Sequence, residues 1–207
     1  MPNTKKYLHY IVEQIHTTVA ATVDDSGLPV TCVIDMMYSD DSGLYFLTAK
    51  GKHFYRRLKE KGYIAVSGFK GESTMSSTAV SVRGKVKEIG TDLLPLLFEK
   101  NPYMNDIYPT KESTSALTVF KIYEGIGEWF DLSKKPIERK IFTFGGAENK
   151  EKGYYITEIC IGCGKCQAVC PQNCIDINKN KAVIRENNCL RCGNCAEACP
   201  VGAVTER

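Results

Sequence analysis

Two stretches near the end of the chain decide how it is read: Cys160-Ile161-Gly162-Cys163-Gly164-Lys165-Cys166-Gln167-Ala168-Val169-Cys170-Pro171 and Cys189-Leu190-Arg191-Cys192-Gly193-Asn194-Cys195-Ala196-Glu197-Ala198-Cys199-Pro200. They superpose at an offset of 29 residues, including the glycine between the second and third cysteines and the closing proline. Each is a C-x₂-C-x₂-C-x₃-C-P row, and together they form an internal repeat. Nine of the ten cysteines lie after residue 150 and only Cys32 lies before it, so cysteine chemistry is confined to the last quarter of the chain. Nine cysteines in so short a segment could form a disulfide framework in a secreted protein. The N-terminus, MPNTKKYLHYIVEQI, has neither a long apolar run nor a small-residue cleavage site, so metal ligation in a cytoplasmic protein is the expectation. Zinc knuckles use two C-x₂-C pairs and leave the third cysteine, the x₃ step and the repeated proline without a reason.

The repeated row resembles the ligand pattern of bacterial two-cluster ferredoxins. The resemblance implies two 4Fe–4S clusters, one held by Cys160, Cys163, Cys166 and Cys199, the other by Cys189, Cys192, Cys195 and Cys170. Gly164 and Gly193 would let backbone pass close to the inorganic sulfides, and Pro171 and Pro200 would turn the chain away after the last ligand. Between the rows, INKNKAVIRENN (177–188) reads as a small β-hairpin that spaces the cluster loops. Cys174 has no ligand role in this scheme. Its repeat partner is Ala203, and it reads as a small buried side chain beside a cluster, with an alternative cluster ligand as the other reading.

Outward from the cysteines, the composition breaks at Gly145-Gly146-Ala147-Glu148-Asn149-Lys150. This places a first domain at 1–145, a linker at 146–153 and the ferredoxin-type domain at 154–207. In the first domain, Leu8, Ile11, Val12 and Ile15 form a helical stripe after an Asn3/Thr4 capping signal. Segments rich in β-branched and aromatic residues follow at 17–23, 28–38, 44–48, 63–69, 78–89, 116–130 and 137–144. Turn clusters such as Asp24-Asp25-Ser26-Gly27 and Gly71-Glu72-Ser73 separate them, and helices fit 52–61 and 92–100. The fold class is therefore α+β, mainly β: a small antiparallel barrel with covering helices, followed by the small cysteine-rich domain. Cys32, inside the apolar run VTCVIDM, reads as a strand core residue.

Three stretches in order, TVAATVDDSGLPVTCVIDMMY (18–38), LYFLTAKGKHFYRRLKEKGYIAVSGF (44–69) and VSVRGKVKEIG (80–90), resemble the flavin-binding split-barrel family that includes pyridoxamine 5′-phosphate oxidase. The resemblance covers roughly residues 10–145 and implies FMN as the flavin, bound at the interface of a homodimer. Thr48-Ala49-Lys50-Gly51-Lys52-His53 brings a hydroxyl, two ammonium groups and a glycine to a helix start, a suitable setting for the FMN phosphate. Lys50 and Lys52 could equally be solvated loop charges. Trp129, the single tryptophan, is a candidate neighbour of the flavin ring, reaching across from the other subunit, and is equally a candidate core residue. The oxidase continues its barrel into a C-terminal segment with substrate-binding basic residues. This chain instead passes through Lys134-Lys135-Pro136 into the cysteine rows, so pyridoxamine phosphate oxidation does not carry over.

A formal net charge of +3 gives no basis for nucleic acid or an anionic membrane as a partner, and no stretch approaches the ~18 apolar residues of a membrane span. No Ser/His/Asp or paired-carboxylate constellation is visible, so the reactive groups would be the cofactors themselves. The chain reads as a flavin/iron–sulfur oxidoreductase serving an external electron carrier and a small-molecule donor or acceptor. Two alternatives stand beside it: an electron-transfer protein without a substrate, and a redox or ligand sensor with haem or no cofactor in the barrel. For haem, His9, His16 and His53 are the possible histidine ligands.

Overall fold

The structure, a computed structural model, describes residues 4–149 and 153–206, and it divides into two compact units. Of the described residues, the first comprises 4–71, Ala79–Trp129 and Ile141–Asn149, and the second Glu72–Thr78, Phe130–Lys140 and 153–206. Of the segment 146–153, residues 150–152 lie outside the described residues, as does Asn3 of the capping signal.

The chain begins with α1 (Thr4–Tyr10), which widens into a π-helical turn over Ile11–Ile15. The Thr4 hydroxyl donates to the Thr143 carbonyl, tying this helix to a strand. The strands β1 (Thr17–Val23), β2 (Pro29–Asp35), β3 (Tyr38–Asp40), β4 (Gly43–Ala49), β5 (Tyr63–Lys70), β6 (Thr78–Gly90), β7 (Leu117–Asp131) and β8 (Glu138–Phe144) form one sheet. Its order is β2-β1-β5-β6-β7-β4-β3, with β8 also paired to β7. The β-branched and aromatic segments thus become strands close to the expected limits. The segment 28–38 divides into β2 and the start of β3 at Met36 and Met37, which are both buried.

Burial follows side-chain period. In β1 and β6 alternate residues face the core, as expected of strands with one covered face. The LYF run of β4 is buried without alternation because the strand is covered on both faces. On one side lies the main core, which includes Leu8, Ile11, Phe46, Leu58, Phe120 and Trp129. On the other lies a second cluster of Met37, Tyr45, Leu97, Met104 and Val119. It is supplied in part by α3 (Leu94–Lys100) and a short α4 (Met104–Ile107). The helix α2 (His53–Lys61) ends at Gly62 in the left-handed conformation and packs through Phe54 and Leu58. It is tied to β6 by Tyr55 and Lys59, which both hydrogen-bond Glu88. β6 and β7 approach so closely that a Cβ on Gly84 would stand 2.2 Å from the Glu124 carbonyl oxygen.

The outer face of β2, β1 and β5 is open and mixes apolar residues with Thr17, Thr31, Ser67 and Asp35. Val19 pairs with Val33 on one side and Ser67 on the other, and Ala21 pairs with Thr31 and Ala65. Val33 is 66% and Phe69 68% exposed, with Val23 and Tyr63 exposed beside them.

In the second unit, β10 (Ile175–Asn178) and β11 (Lys181–Ile184) form the expected hairpin, turning through Lys179 and Asn180 at positive φ. A second pair joins β9 (Tyr154–Ile156) to β12 (Val204–Glu206) and brings together the two ends of the cysteine segment. Two single-turn helices, α5 (Lys165–Ala168) and α6 (Asn194–Glu197), start at Gly164 and Gly193, both left-handed with φ of 75° and 87°. That backbone conformation favours glycine, which has no Cβ to strain, at these repeat positions.

Candidate functional site

The cysteine rows fold around two cavities. One is lined by Cys160, Cys163, Cys166 and Cys199 together with Ile161, Val201 and Ala203. The other is lined by Cys170, Cys189, Cys192 and Cys195, with Cys174 and Leu190 beside them. The fourth cysteine of each row therefore reaches the cavity of the other row. The exchange arises because the fourth cysteine follows a helical turn that carries it away from its own loop. Each cavity repeats the same gradation: the middle cysteines Cys163 and Cys192 are exposed, and the third ones, Cys166 and Cys195, are buried.

Backbone donors converge on the sulfurs. The Ala182 N–H points at Cys160 Sγ (3.4 Å), Arg191 N–H at Cys189 Sγ (3.4 Å), Cys174 N–H at Cys170 Sγ (3.4 Å) and Ala203 N–H at Cys199 Sγ (3.1 Å). Burial alone would raise the thiols of Cys170 and Cys199. Donors from the residues that follow them outweigh it and lower both, which favours the thiolate. Burial raises Cys166 and Cys195. Burial, reinforced by Cys170, pushes Cys174 up to about 12. Two sets of four cysteines, each around a cavity with amide donors, suit cubic clusters. A single tetrahedral zinc would take four sulfurs about 2.3 Å from one centre and leaves no role for a larger cavity.

The rims of the cavities differ. Around the first, Ile159, Ile161 and Val201 are exposed and apolar. The repeat counterparts around the second are Asn188, Leu190 and Gln172. Two of these grip the loop between β7 and β8: Gln172 Oε1 accepts the Ile137 N–H (3.0 Å), and Asn188 Nδ2 donates to the Ile137 carbonyl (3.1 Å).

In the first unit, Thr48 is buried at the end of β4, while Lys50, Gly51, Lys52 and His53 are exposed in the turn that opens α2. The Lys52 N–H donates to the Ala49 carbonyl, which tightens the turn, and no side chain caps the helix. Arg57, one turn into α2, holds its Nε 2.8 Å from Thr22 Oγ1 and adds a guanidinium to this end of the helix. Sequence reasoning missed Arg57; its spacing of four from His53 on one helix face was the available signal. Burial raises the thiol of Cys32, on β2, and the charges of Arg57 and Lys52 partly offset it.

Trp129 is not brought to this loop within one chain. Thr48 pairs with Thr118, and Trp129 stands eleven residues farther along β7, about 36 Å of extended strand. Its indole packs against Tyr7 and Tyr10 at ring distances of 5.0 and 4.8 Å and is 7% exposed.

The three histidines are likewise apart. His9 is exposed on α1 and His53 begins α2. His16 Nε2 lies 3.1 Å from the Tyr103 hydroxyl, which donates to Asp35. His16 has φ of 61°.

Comparison with known proteins gives two family matches. Residues 4–130 match the model described as pyridoxamine 5′-phosphate oxidase, and residues 159–203 match a 4Fe-4S dicluster domain. No curated protein matches the chain. Among solved structures, a NimC/NimA family protein from Clostridium acetobutylicum is similar at a TM-score of 0.57 and 14% identity, over 69% of this chain and 93% of that one. A second protein from that organism, related to general stress protein 26 and of the pyridoxinephosphate oxidase family, gives 0.51 and 15%, over 67% and 94%. A heme binding protein from Mycobacterium smegmatis gives 0.53 and 12%, over 69% and 59%. At these identities the likeness is one of fold.

Proposed function

Because the chain belongs to the pyridoxamine 5′-phosphate oxidase family and carries a 4Fe-4S dicluster domain, we propose that it is a flavin/iron–sulfur oxidoreductase. The observation that carries this reading is the pair of four-cysteine cavities appended to a flavin-type split barrel. The residues fit the groups. Cys160, Cys163, Cys166 and Cys199 would hold one cluster, and Cys170, Cys189, Cys192 and Cys195 the other. The Thr48 hydroxyl, Lys50, Lys52 and Arg57 would hold the FMN phosphate, with Gly51 admitting it to the helix start and His53 beside it. FMN exchanges electrons in pairs or singly, and each cluster exchanges one, which lets a two-electron substrate be served by a one-electron carrier.

The chain's own residues would set the terms of that exchange. Backbone amides hold the cysteine sulfurs in place, and the Ile137 clasp fastens the β7–β8 loop beside the Cys170-Cys189 pair. The exposed Cys163, with Ile161 and Val201 around it, supports contact with an external carrier at the first cavity. The exposed Val19, Val23, Val33, Tyr63 and Phe69 on β1, β2 and β5 support a homodimer, since exposed apolar groups gathered on one face mark interaction sites.

Cofactor analysis of anaerobically purified protein tests the proposal. Releasable FMN with about eight irons and eight sulfides per chain is the expected result. A haem Soret band would transfer the barrel to the haem-binding reading, and tightly bound zinc would remove the clusters. Turnover of a small acceptor, such as a quinone or nitroaromatic, separates an enzyme from an electron carrier without a substrate.

A further inference from the structure

The two cavities are built by a repeat, so each position in one has a counterpart in the other, and a departure from symmetry has an internal control. Four residues after the last cysteine of each row the repeat breaks, with Cys174 in one copy and Ala203 in the other. Their backbones behave alike, each N–H donating to the sulfur of the cysteine four residues earlier. Their side chains differ. Cys174 is 2% exposed, lines the second cavity, and sets its Sγ 3.4 Å from Cys170 Sγ. The Ala203 methyl is equally buried and has no proton to donate.

We infer that the Cys174 thiol donates a hydrogen bond to the Cys170 sulfur, and so makes the cluster held by Cys170, Cys189, Cys192 and Cys195 easier to reduce than its twin. The inference rests on the ligand assignment proposed above. Reduction adds one electron to a cluster and increases negative charge on its sulfurs, with no proton required. A donor aimed at a ligand sulfur stabilises the reduced form more than the oxidised one and raises the potential. The site is buried, so water does not substitute for the thiol. Cys174 is a positioning residue here and not a ligand, because four other cysteines already complete its cavity. A single electron entering the module would then rest on this cluster, and the two clusters would fill in a fixed order.

Anaerobic potentiometric titration of the full chain with a soluble low-potential reductant, followed by EPR and paired with iron analysis, tests this. In Cys174→Ala, iron is retained and one of the two potentials moves negative while the other stays. At the parent's midpoint the reduced-to-oxidised ratio of that cluster falls several-fold, with tenfold, about 59 mV for one electron, as the upper end. Cys174→Ser keeps a donor and stays nearer the parent. Ala203→Cys supplies the missing thiol and moves the other potential positive, a result that decides the matter even if Cys174→Ala folds poorly. Full iron with both potentials unchanged in Cys174→Ala would overturn the inference, as would loss of half the iron, which would make Cys174 a ligand. A parent protein without two clusters would overturn the ligand assignment beneath it.

Discussion

Replacing Lys50 and Lys52 together by alanine tests the phosphate site on which the flavin reading turns. Both ammonium groups are exposed at the turn before α2, and neither contributes to the core, so their loss leaves the barrel's packing intact. A charge-assisted hydrogen bond to phosphate is worth about 1.5–3 kcal/mol, and flexible exposed lysines fall at the low end because ordering them costs side-chain entropy. Losing both should cost about 1.5–3 kcal/mol in total, a weakening of FMN binding of about 10- to 150-fold. Arg57→Ala should cost a comparable amount by itself, because its guanidinium is already held against Thr22. The assay is titration of FMN into anaerobically stripped protein, read by flavin fluorescence, with iron content as the control for the second unit. Unchanged affinity in the double variant would move the phosphate elsewhere, and absence of binding by the stripped parent would remove flavin from the account.

Three further outcomes are expected. Cys163→Ser should destroy one cluster and leave the other visible by EPR, halving the iron; loss of both would show that the two cavities do not form independently. Val33→Glu should shift the protein from dimer to monomer in light scattering, since Val33 is opposite Val19 in the open face; an unchanged mass would place any interface elsewhere. Burial alone would raise the Glu88 carboxyl, but hydrogen bonds from Lys59, Thr118 and Tyr55 outweigh it and hold the group below its ordinary value. Its contribution is therefore present above the unfolded carboxylate value of about 4.3 and is lost as pH falls through the lower folded value. Thermal melts should show a steeper acid loss in the parent than in Glu88→Gln, and parallel profiles would count against the clamp on α2.

The cysteine pattern was readable because ligand spacing is local: three cysteines on one loop and a fourth after one helical turn define a cavity whatever surrounds it. Most strands were readable for a similar reason, since turn clusters bound them and β-branched residues fill them. What the sequence did not disclose depends on distant partners. The two-sided burial of β4 comes from α3 and α4, whose residues carry no marker of where they pack. The grip of Gln172 and Asn188 on Ile137 joins residues 35 and 51 positions apart through ordinary amides. It accompanies a division in which the segments 72–78 and 130–140 group with the cysteine rows, although they lie within the barrel's stretch of sequence. Trp129 had two readings in the sequence, and its packing against Tyr7 and Tyr10 joins residues more than a hundred positions apart, which no local pattern signals. Arg57 was passed over because one more arginine on an amphipathic helix looks like a solvated charge until Thr22 is seen beside it.

Electron exchange between clusters and flavin is open to anaerobic rapid mixing of the oxidised, FMN-loaded protein with a one-electron reductant, followed by flavin absorbance and freeze-quench EPR. Clusters should reduce first, and flavin reduction should follow at a rate independent of protein concentration. This phase should be lost when the cluster cysteines are replaced while FMN remains bound. Flavin that stays oxidised beside fully reduced clusters, or that reduces equally fast without them, would contradict that exchange.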